Sequence, residues 1–291
     1  MFSKMFSSRV LFVTVFGFGG MAAETAGAAA CVWRVSGPNG ATLYLGGSMH
    51  ALRSTDYPLP SAYNRAFDAS ARLAFETDQK VSTRAAQDIH KAGHYARGDN
   101  LKNHVDPRTY DYLRRLFALV KIPEEKFINL RPWYLSLLIQ SGGAGGFSSS
   151  LGVEGFLVQR AKANSKPVVG LESSREHIEV FSGLNDRQSE AVLLMTFIIP
   201  DKKDNSGASV MDAWRRGDAD TMTRVTLESF RDFPAMGERL LGARNRAWIP
   251  KIEGYLRSGQ TYFVVAGAAH MGGSEGLLAL LQARGYKIEQ L

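Results

Sequence analysis

The stretch TYFVVAGAAHMGGSEGLLALLQARGYKIEQL, residues 261–291, is the clearest structural unit of this 291-residue chain. It has an apolar run, a Gly-rich loop, a helix-like apolar segment that stops at Gly285, and a second strand-like run. A strand, a helix and a strand in this order form a crossover, which joins parallel strands. The stretch therefore predicts an α/β (mixed α+β) fold with a central, mostly parallel sheet.

The first strand of this unit ends in GAAH, and a similar ending, LYLGGSMH, occurs at residues 43–50. The turn cluster SGPNG lies before LYLGGSMH and predicts a hairpin whose second strand leads to His50. Residues 80–145 and 174–258 have mainly helical patterns. We therefore expect two related strand-GxxH halves and a large helical insertion.

Two further strand-like runs end in an acidic residue. LAFETD ends its apolar part at Glu76, and KPVVGLES ends at Glu172. Open α/β sheets bind ligands where the carboxyl ends of their strands meet. We therefore expect His50, Glu76, Glu172 and His270 to lie at one edge of the sheet.

These residue types have a chemistry in common. Two His and a carboxylate can hold Zn, Mn, Fe or Co and leave one position for water. The metal makes that water more acidic, and a second carboxylate can act as general base. Each residue alone is more often a hydrogen-bonded structural residue, but the repeated strand ending favours metal-assisted hydrolysis of an amide or ester.

One polar residue interrupts an apolar helical stripe. Asn245 lies at helical spacing from Leu241, Trp248 and Ile252. A polar group in that position needs a hydrogen-bond partner. Asn245, with the adjacent Arg246, is either a satisfied core residue or a support for the site.

The first 30 residues resemble a secretory signal peptide. Lys4 and Arg9 precede an apolar stretch, and a run of small residues follows it. We predict a signal peptide at residues 1–30, an exported protein, and a single domain at residues 31–291. No later segment approaches the roughly 20 apolar residues of a membrane span.

The single cysteine, Cys31, limits the chemistry of the chain. It excludes an intrachain disulfide and a Cys-ligated metal cluster. Because it follows three Ala residues, a lipid anchor at Cys31 is an alternative.

The net charge of +7 comes from scattered residues, so we expect no nucleic-acid partner. No GxSxG elbow supports a nucleophilic triad.

The motifs resemble a known family in their order and spacing. LYLGGSMHALRSTDYPLP, LAFETD, RPWYLSLLI, GVEGFLVQRAKANSKPVVGLES, RNRAWIPKI and FVVAGAAHMGGSEGLLALLQARGYKIEQL span nearly the whole chain after residue 30. Together they resemble the TraB/GumN family, whose relatives include the TIKI metalloproteases. The resemblance implies a divalent-metal-dependent, protease-like activity on a peptide or protein substrate, with Mn or Co as the expected metal and Zn as a further option.

The resemblance also implies site residues. The paired GxxH motifs correspond to Gly47 with His50 and to Gly267 with His270, and the Arg-Asn element corresponds to residues 244–246. The predicted metal ligands are His50, Glu76 and His270. The predicted catalytic residues are Glu172 as base or fourth ligand, Arg246 as oxyanion stabiliser, Asn245, and Ser48, which stands where Thr is usual.

Two other functions remain open at this point. The first is a non-catalytic exported protein that binds a peptide, a metal or haem in the same cleft, with the His pair as axial ligands. The second is a metal-free hydrolase in which one His is the base.

Overall fold

The computed structural model describes residues 29–78, 83–141, 149–197 and 210–291. The predicted signal peptide, residues 1–30, lies outside these residues except for its last two positions. Within the described ranges, no helix has both the length and the apolar character that a membrane span requires.

The centre of the molecule is a six-stranded sheet with the strand order β4-β3-β5-β2-β1-β6. The middle strands β4, β3, β5 and β2 are parallel, and β1 is antiparallel to both β2 and β6. The predicted hairpin is thus β1-β2, and the predicted crossover joins β5 to the parallel strand β6. In chain order the strands are β1 (Val32–Ser36), β2 (Thr42–Ser48), β3 (Arg72–Thr77), β4 (Val168–Glu172), β5 (Tyr262–Gly267) and β6 (Lys287–Gln290).

Helices form most of the remaining described chain, and those between β3 and β4 include the predicted helical insertion. A π-helical turn, Glu238–Gly242, leads directly into the longest helix, α11. In chain order the helices are α1 (Ser61–Ala69), α2 (Thr83–Gly93), α3 (Pro107–Leu119), α4 (Pro132–Ser141), α5 (Val153–Ala163), α6 (Ser174–Ser182), α7 (Asp186–Met195), α8 (Val210–Arg216), α9 (Ala219–Glu228), α10 (Pro234–Gly237), α11 (Ala243–Arg257) and α12 (Leu277–Gln282).

Helices cover both faces of the sheet. In β5, the Phe263 ring lies 6.4 Å from the Tyr63 ring of α1, and the Tyr262 ring stacks on Tyr255 of α11 at 4.2 Å. Successive strand residues point to opposite faces, so α1 and α11 lie on opposite sides. This explains why every residue of β5 is buried and apolar or Gly, as is typical of parallel sheets.

Cys31 lies in the core beside the end of β2. Its side chain is fully buried, and a Cβ added to Gly47 would lie 2.3 Å from Cys31 Sγ. Burial raises the pKa of the thiol well above its usual value. A lipid on Cys31 Sγ would not fit this packing, so the fold argues against the lipid-anchor alternative.

The carboxyl end of β2 is held by two aromatic side chains. The Tyr63 hydroxyl and Trp214 Nε1 both donate to the Gly47 carbonyl oxygen, at 2.5 Å and 2.9 Å. These buried hydrogen bonds fix the strand just before the chain turns towards His50.

Candidate active site

The carboxyl ends of four neighbouring parallel strands bring the candidate residues together. Glu76 and Glu172 lie at the ends of β3 and β4, and His50 and His270 follow β2 and β5. Because β3 lies between β4 and β5, and β5 lies next to β2, the four ends meet at one edge of the sheet.

Gly267 marks the point on which three of these side chains converge. A Cβ added to Gly267 would lie 3.2 Å from Glu76 Oε1, 3.2 Å from His50 Nε2 and 3.6 Å from His270 Cδ2. The Gly267 N–H donates to Glu76 Oε1 at 2.6 Å. Absence of a side chain at this residue therefore keeps open a space that two imidazoles and a carboxylate face.

Glu154, in the first turn of α5, extends this group. His50 Nδ1 lies 3.5 Å from Glu154 Oε1, a buried oxygen with no hydrogen-bond partner among the described residues. The start of α5 is held against the His50 loop, since Val153 N–H donates to Met49 O at 3.1 Å. A Cβ on Gly152 would lie 2.2 Å from the His50 carbonyl oxygen, so only Gly permits this close approach.

Glu154 also changes the proton affinity of His50. Desolvation by the surrounding protein lowers the pKa of His50, but the Glu154 carboxylate 3.5 Å away and the charge of Glu76 outweigh this and raise it to about 9. The His50 side chain is 61 % exposed, so water screens this pair in part. In the absence of another ligand, His50 therefore carries a proton at neutral pH.

A buried arginine, Arg244, joins both acidic strand ends. Its Nη2 donates to Glu76 Oε2 at 2.5 Å and to Glu172 Oε1 at 2.6 Å. Burial raises the pKa of Glu76, but the charge of Arg244 outweighs that effect and holds the pKa well below its usual range. Glu76 is therefore ionised at neutral pH and available as a ligand.

His270 has a fixed tautomer. The Asn245 amide N–H groups donate to the carbonyl oxygens of Glu275, at 2.7 Å, and His270, at 3.3 Å. This orients Asn245 Oδ1 towards His270 Nδ1 at 2.6 Å, so Nδ1 carries the proton. Burial lowers the pKa of His270 to about 4, and the unprotonated Nε2 faces Arg244 Nη1 at 3.2 Å.

Glu172 is saturated with hydrogen bonds. Its Oε1 accepts from His177 Nδ1 and Arg244 Nη2, both at 2.6 Å, and its Oε2 accepts from Arg244 Nε at 3.1 Å and Trp248 Nε1 at 3.2 Å. Burial raises the pKa of this carboxyl, but the bonds from His177 and Arg244 outweigh it and lower the pKa. A carboxylate in this state anchors Arg244 and is a poor general base.

The remaining two predicted catalytic residues, Ser48 and Arg246, lie in different surroundings. Ser48 is buried, pairs in register with Gly267, and its hydroxyl has no hydrogen-bond partner in the described part of the chain. Arg246 lies outside the cluster, on the surface, where it pairs with Glu238 and Glu275. The sequence predicted Arg246 in the site, but the arginine that contacts the site carboxylates is Arg244.

Two residues of the site were missed by reasoning from the sequence. Glu154 lies in the segment GVEGFLV, at the start of a helix and not at the end of a strand, so the strand-end pattern did not include it. His177 follows Glu172 by five positions, and the Ser173 cap turns α6 so that His177 returns to that carboxylate. Only the packing of these helices places either residue in the site.

The described residues contain two groups that could hold a metal ion. One is His50, Glu76 and Glu154, and the other is Glu76, Glu172 and His177; within each group the ligand atoms lie within 4.8 Å of one another. Imidazole nitrogen and carboxylate oxygen suit Mn, Co, Fe or Zn. The first group also has the unpartnered oxygen of Glu154, which fits a ligand position.

Comparisons with known proteins bear on the family. The search of curated proteins and the search of solved structures gave no significant match. A family model matches residues 31–290 and therefore includes every site residue described above. The chain belongs to the TraB/PrgY/gumN family.

Proposed function

We propose that this chain is an exported, metal-dependent hydrolase that cleaves peptide bonds. The observation that carries the proposal is the convergence of His50, Glu76 and His270 on the space above Gly267, with Glu154 beside His50. Export rests on the signal-like pattern of residues 1–30. A peptide substrate rests on the protease-like activity that the family resemblance implies.

We assign the ion to His50, Glu76 and Glu154, with Mn²⁺ or Co²⁺ as the expected ion and Zn²⁺ as a further option. A bound ion supplies a Lewis acid, which polarises a carbonyl and lowers the pKa of water. The predicted ligand His270 faces the same space, but its Nε2 lone pair accepts from Arg244. We therefore give the third ligand position to Glu154.

The other side chains orient groups and hold protons. Arg244 keeps Glu76 ionised, and Glu172 keeps Arg244 in place. Asn245 leaves the proton of His270 on Nδ1, so the Nε2 lone pair accepts from Arg244 Nη1 and helps to hold the guanidinium.

Substitution of Gly267 by Ala tests this function without removal of any ligand. The Ala side chain would fill the space that His50, Glu76 and His270 face, and φ of −48° at Gly267 is suitable for Ala. We expect Mn²⁺ binding, measured by calorimetry, to weaken by on the order of 100-fold. Cleavage of a peptide mixture, followed by mass spectrometry after Mn²⁺ is returned to chelated protein, should be lost as well.

The matched control is Gly254→Ala in α11. A Cβ there meets no atom within 4 Å, so ion binding should not change, and stability should rise by about 0.5–1 kcal/mol. Wild-type protein that binds Mn²⁺ but cleaves no peptide would refute the peptidase. Folded Gly267→Ala protein with wild-type Mn²⁺ affinity would refute the ion site.

A metal-free hydrolase is the second candidate. The specific observation in its favour is that Arg244 already pairs with both Glu76 and Glu172, while His50 pairs with Glu154. In this case a neutral His270 would be the base. Peptide cleavage that persists at full rate after complete chelation would favour this candidate, and cleavage restored only by Mn²⁺ would exclude it.

A further inference from the structure

The second group of metal-binding type, formed by Glu76, Glu172 and His177, surrounds the guanidinium of Arg244. Nη2 of Arg244 lies 2.5 Å from Glu76 Oε2, 2.6 Å from Glu172 Oε1 and 3.5 Å from His177 Nδ1. The same three side chains present ligand atoms within 4.8 Å of one another. One nitrogen of the arginine therefore stands among the ligand atoms that would hold an ion.

Arg244 is built into this position. A guanidinium has five N–H donors. In Arg244, Nε donates to Glu172 Oε2 at 3.1 Å, and Nη2 donates to both carboxylates. Nη1 donates to Leu240 O at 3.1 Å and to His270 Nε2 at 3.2 Å. Its Cζ also lies 4.6 Å from the Trp248 ring centroid, so every donor and one face have a partner.

The charges of the group favour a cation at this position. Glu76 and Glu172 are buried carboxylates that share the positive charge of Arg244. Without the guanidinium, two buried negative charges would face each other across a space open to a small cation. Two carboxylates and an imidazole are also a ligand set that divalent ions accept.

We propose that the guanidinium of Arg244 occupies a second cation position of this site, formed by Glu76, Glu172 and His177. The wild-type chain then binds one divalent ion, in the group with His50 and Glu154, and loss of Arg244 opens a second ion site. This inference rests on the proposed function only for the first ion. The second position follows from the arginine contacts alone.

The test is the number of Mn²⁺ ions bound per chain, measured by calorimetry and by metal analysis after gel filtration. We expect one ion for wild type, two for Arg244→Ala, and one again for Arg244→Ala combined with His177→Ala. Arg175→Ala is the matched control on α6, since Arg175 is 87 % exposed and pairs with Glu179, and it should bind one ion. Two ions in wild type, or one in folded Arg244→Ala, would overturn the inference.

A second variant covers poor folding of Arg244→Ala. Arg244→Lys keeps a positive charge in the group and should bind one ion, while Arg244→Ala should gain more thermal stability from Mn²⁺ than Arg244→Lys does. Equal gains would contradict the inference. No ion in wild type with one in Arg244→Ala would support the second position and refute the proposed function, so the two failures are distinguishable.

Discussion

His50 and His270 occupy opposite environments although each ends a GxxH motif. His50 is largely exposed, pairs with Glu154, and has a pKa raised to about 9. His270 is buried, is held by Asn245, and has a pKa lowered to about 4. His270 is thus neutral at neutral pH, and its Nε2 lone pair accepts from Arg244 Nη1. His50 must release a proton before one of its ring nitrogens can bind an ion.

Replacement of Asn245 by Ala should disturb His270 and the helix that carries it. The change leaves the buried Nδ1–H of His270 and the Glu275 carbonyl without partners. An unsatisfied buried group costs about 1–3 kcal/mol, so we expect the free energy of unfolding in urea to fall by about that amount. The slowly exchanging Nδ1–H signal of His270 should also disappear from the proton NMR spectrum.

Asn164→Ala is the control for this prediction. Asn164 is exposed at the end of α5 and donates to Arg160 O. Its loss should change stability by less than about 0.5 kcal/mol. An Asn245→Ala protein that keeps both the imidazole signal and wild-type stability would show that Asn245 does not position His270.

The elements after the two GxxH strands have different backbone paths. A 3₁₀ turn, Ala268–His270, follows β5 and folds His270 back into the core. Thr223 of α9 holds this turn through a bond from its hydroxyl to Ala269 O at 2.8 Å. After β2 the chain instead continues to Met49, where the start of α5 docks. One motif thereby yields a buried imidazole and the other an exposed one.

His104 links separate parts of the helical region through two carboxylates, and this contact makes the stability of the fold depend on pH. His104 contacts Asp99 through Nε2 at 2.7 Å and Asp186, at the start of α7, through Nδ1 at 2.9 Å. Burial lowers the pKa of His104, but the hydrogen bonds of the two carboxylates outweigh it and raise the pKa. Its contribution to stability is therefore complete below the unfolded value of about 6.5 and is lost as the pH rises through the folded value.

The measurement for this contact is the thermal unfolding temperature at pH 6 and pH 9, with the His104 pKa followed by NMR. We expect Asp186→Asn to lower the pKa of His104 and to reduce the loss of stability between these pH values relative to wild type. Asp111→Asn, which removes a carboxylate paired with Arg114 and Arg115, should keep the wild-type difference. An unchanged His104 pKa in Asp186→Asn would contradict the assignment.

At the scale of the whole molecule, the apolar side chains form separate clusters. The main cluster surrounds the sheet and joins residues from near both ends of the described chain, such as Val32 and Leu281. A smaller cluster lies among α3, α4 and α7 and includes Leu113, Leu135 and Leu193. The site lies at the edge of the first cluster, so its acidic and imidazole groups are supported by the best-buried part of the fold.

The two clusters should open with different free energies. Amides of β5 lie in the middle of the sheet with every side chain buried, whereas α3 packs in the smaller cluster and keeps one face in solvent. We expect hydrogen exchange to be at least about 10-fold slower in β5 than in α3 under native conditions. The reason is that α3 can open locally while the sheet stays intact. Equal protection in both elements would show that the clusters open together.

Several features of the fold could be predicted from the sequence alone. The apolar runs and turn residues predicted the β1-β2 hairpin, the crossover between β5 and β6, and the strands that end at Glu76 and Glu172. These features depend on local periodicity and on general rules of chain connection. Since parallel strands share one edge for their carboxyl ends, the sequence also predicted that the four strand ends would be neighbours.

Only the tertiary structure decided which helical side chains complete the site. Arg244 and Arg246 both flank Asn245. Residues two positions apart on a helix point in directions about 200° apart, so only one of the two arginines can face the carboxylates. The preceding π-helical turn, Glu238–Gly242, and the packing of α11 direct Arg244 inward. Glu154 and His177 enter the site for the same reason, because the position of a whole helix is fixed by packing and not by its own sequence pattern.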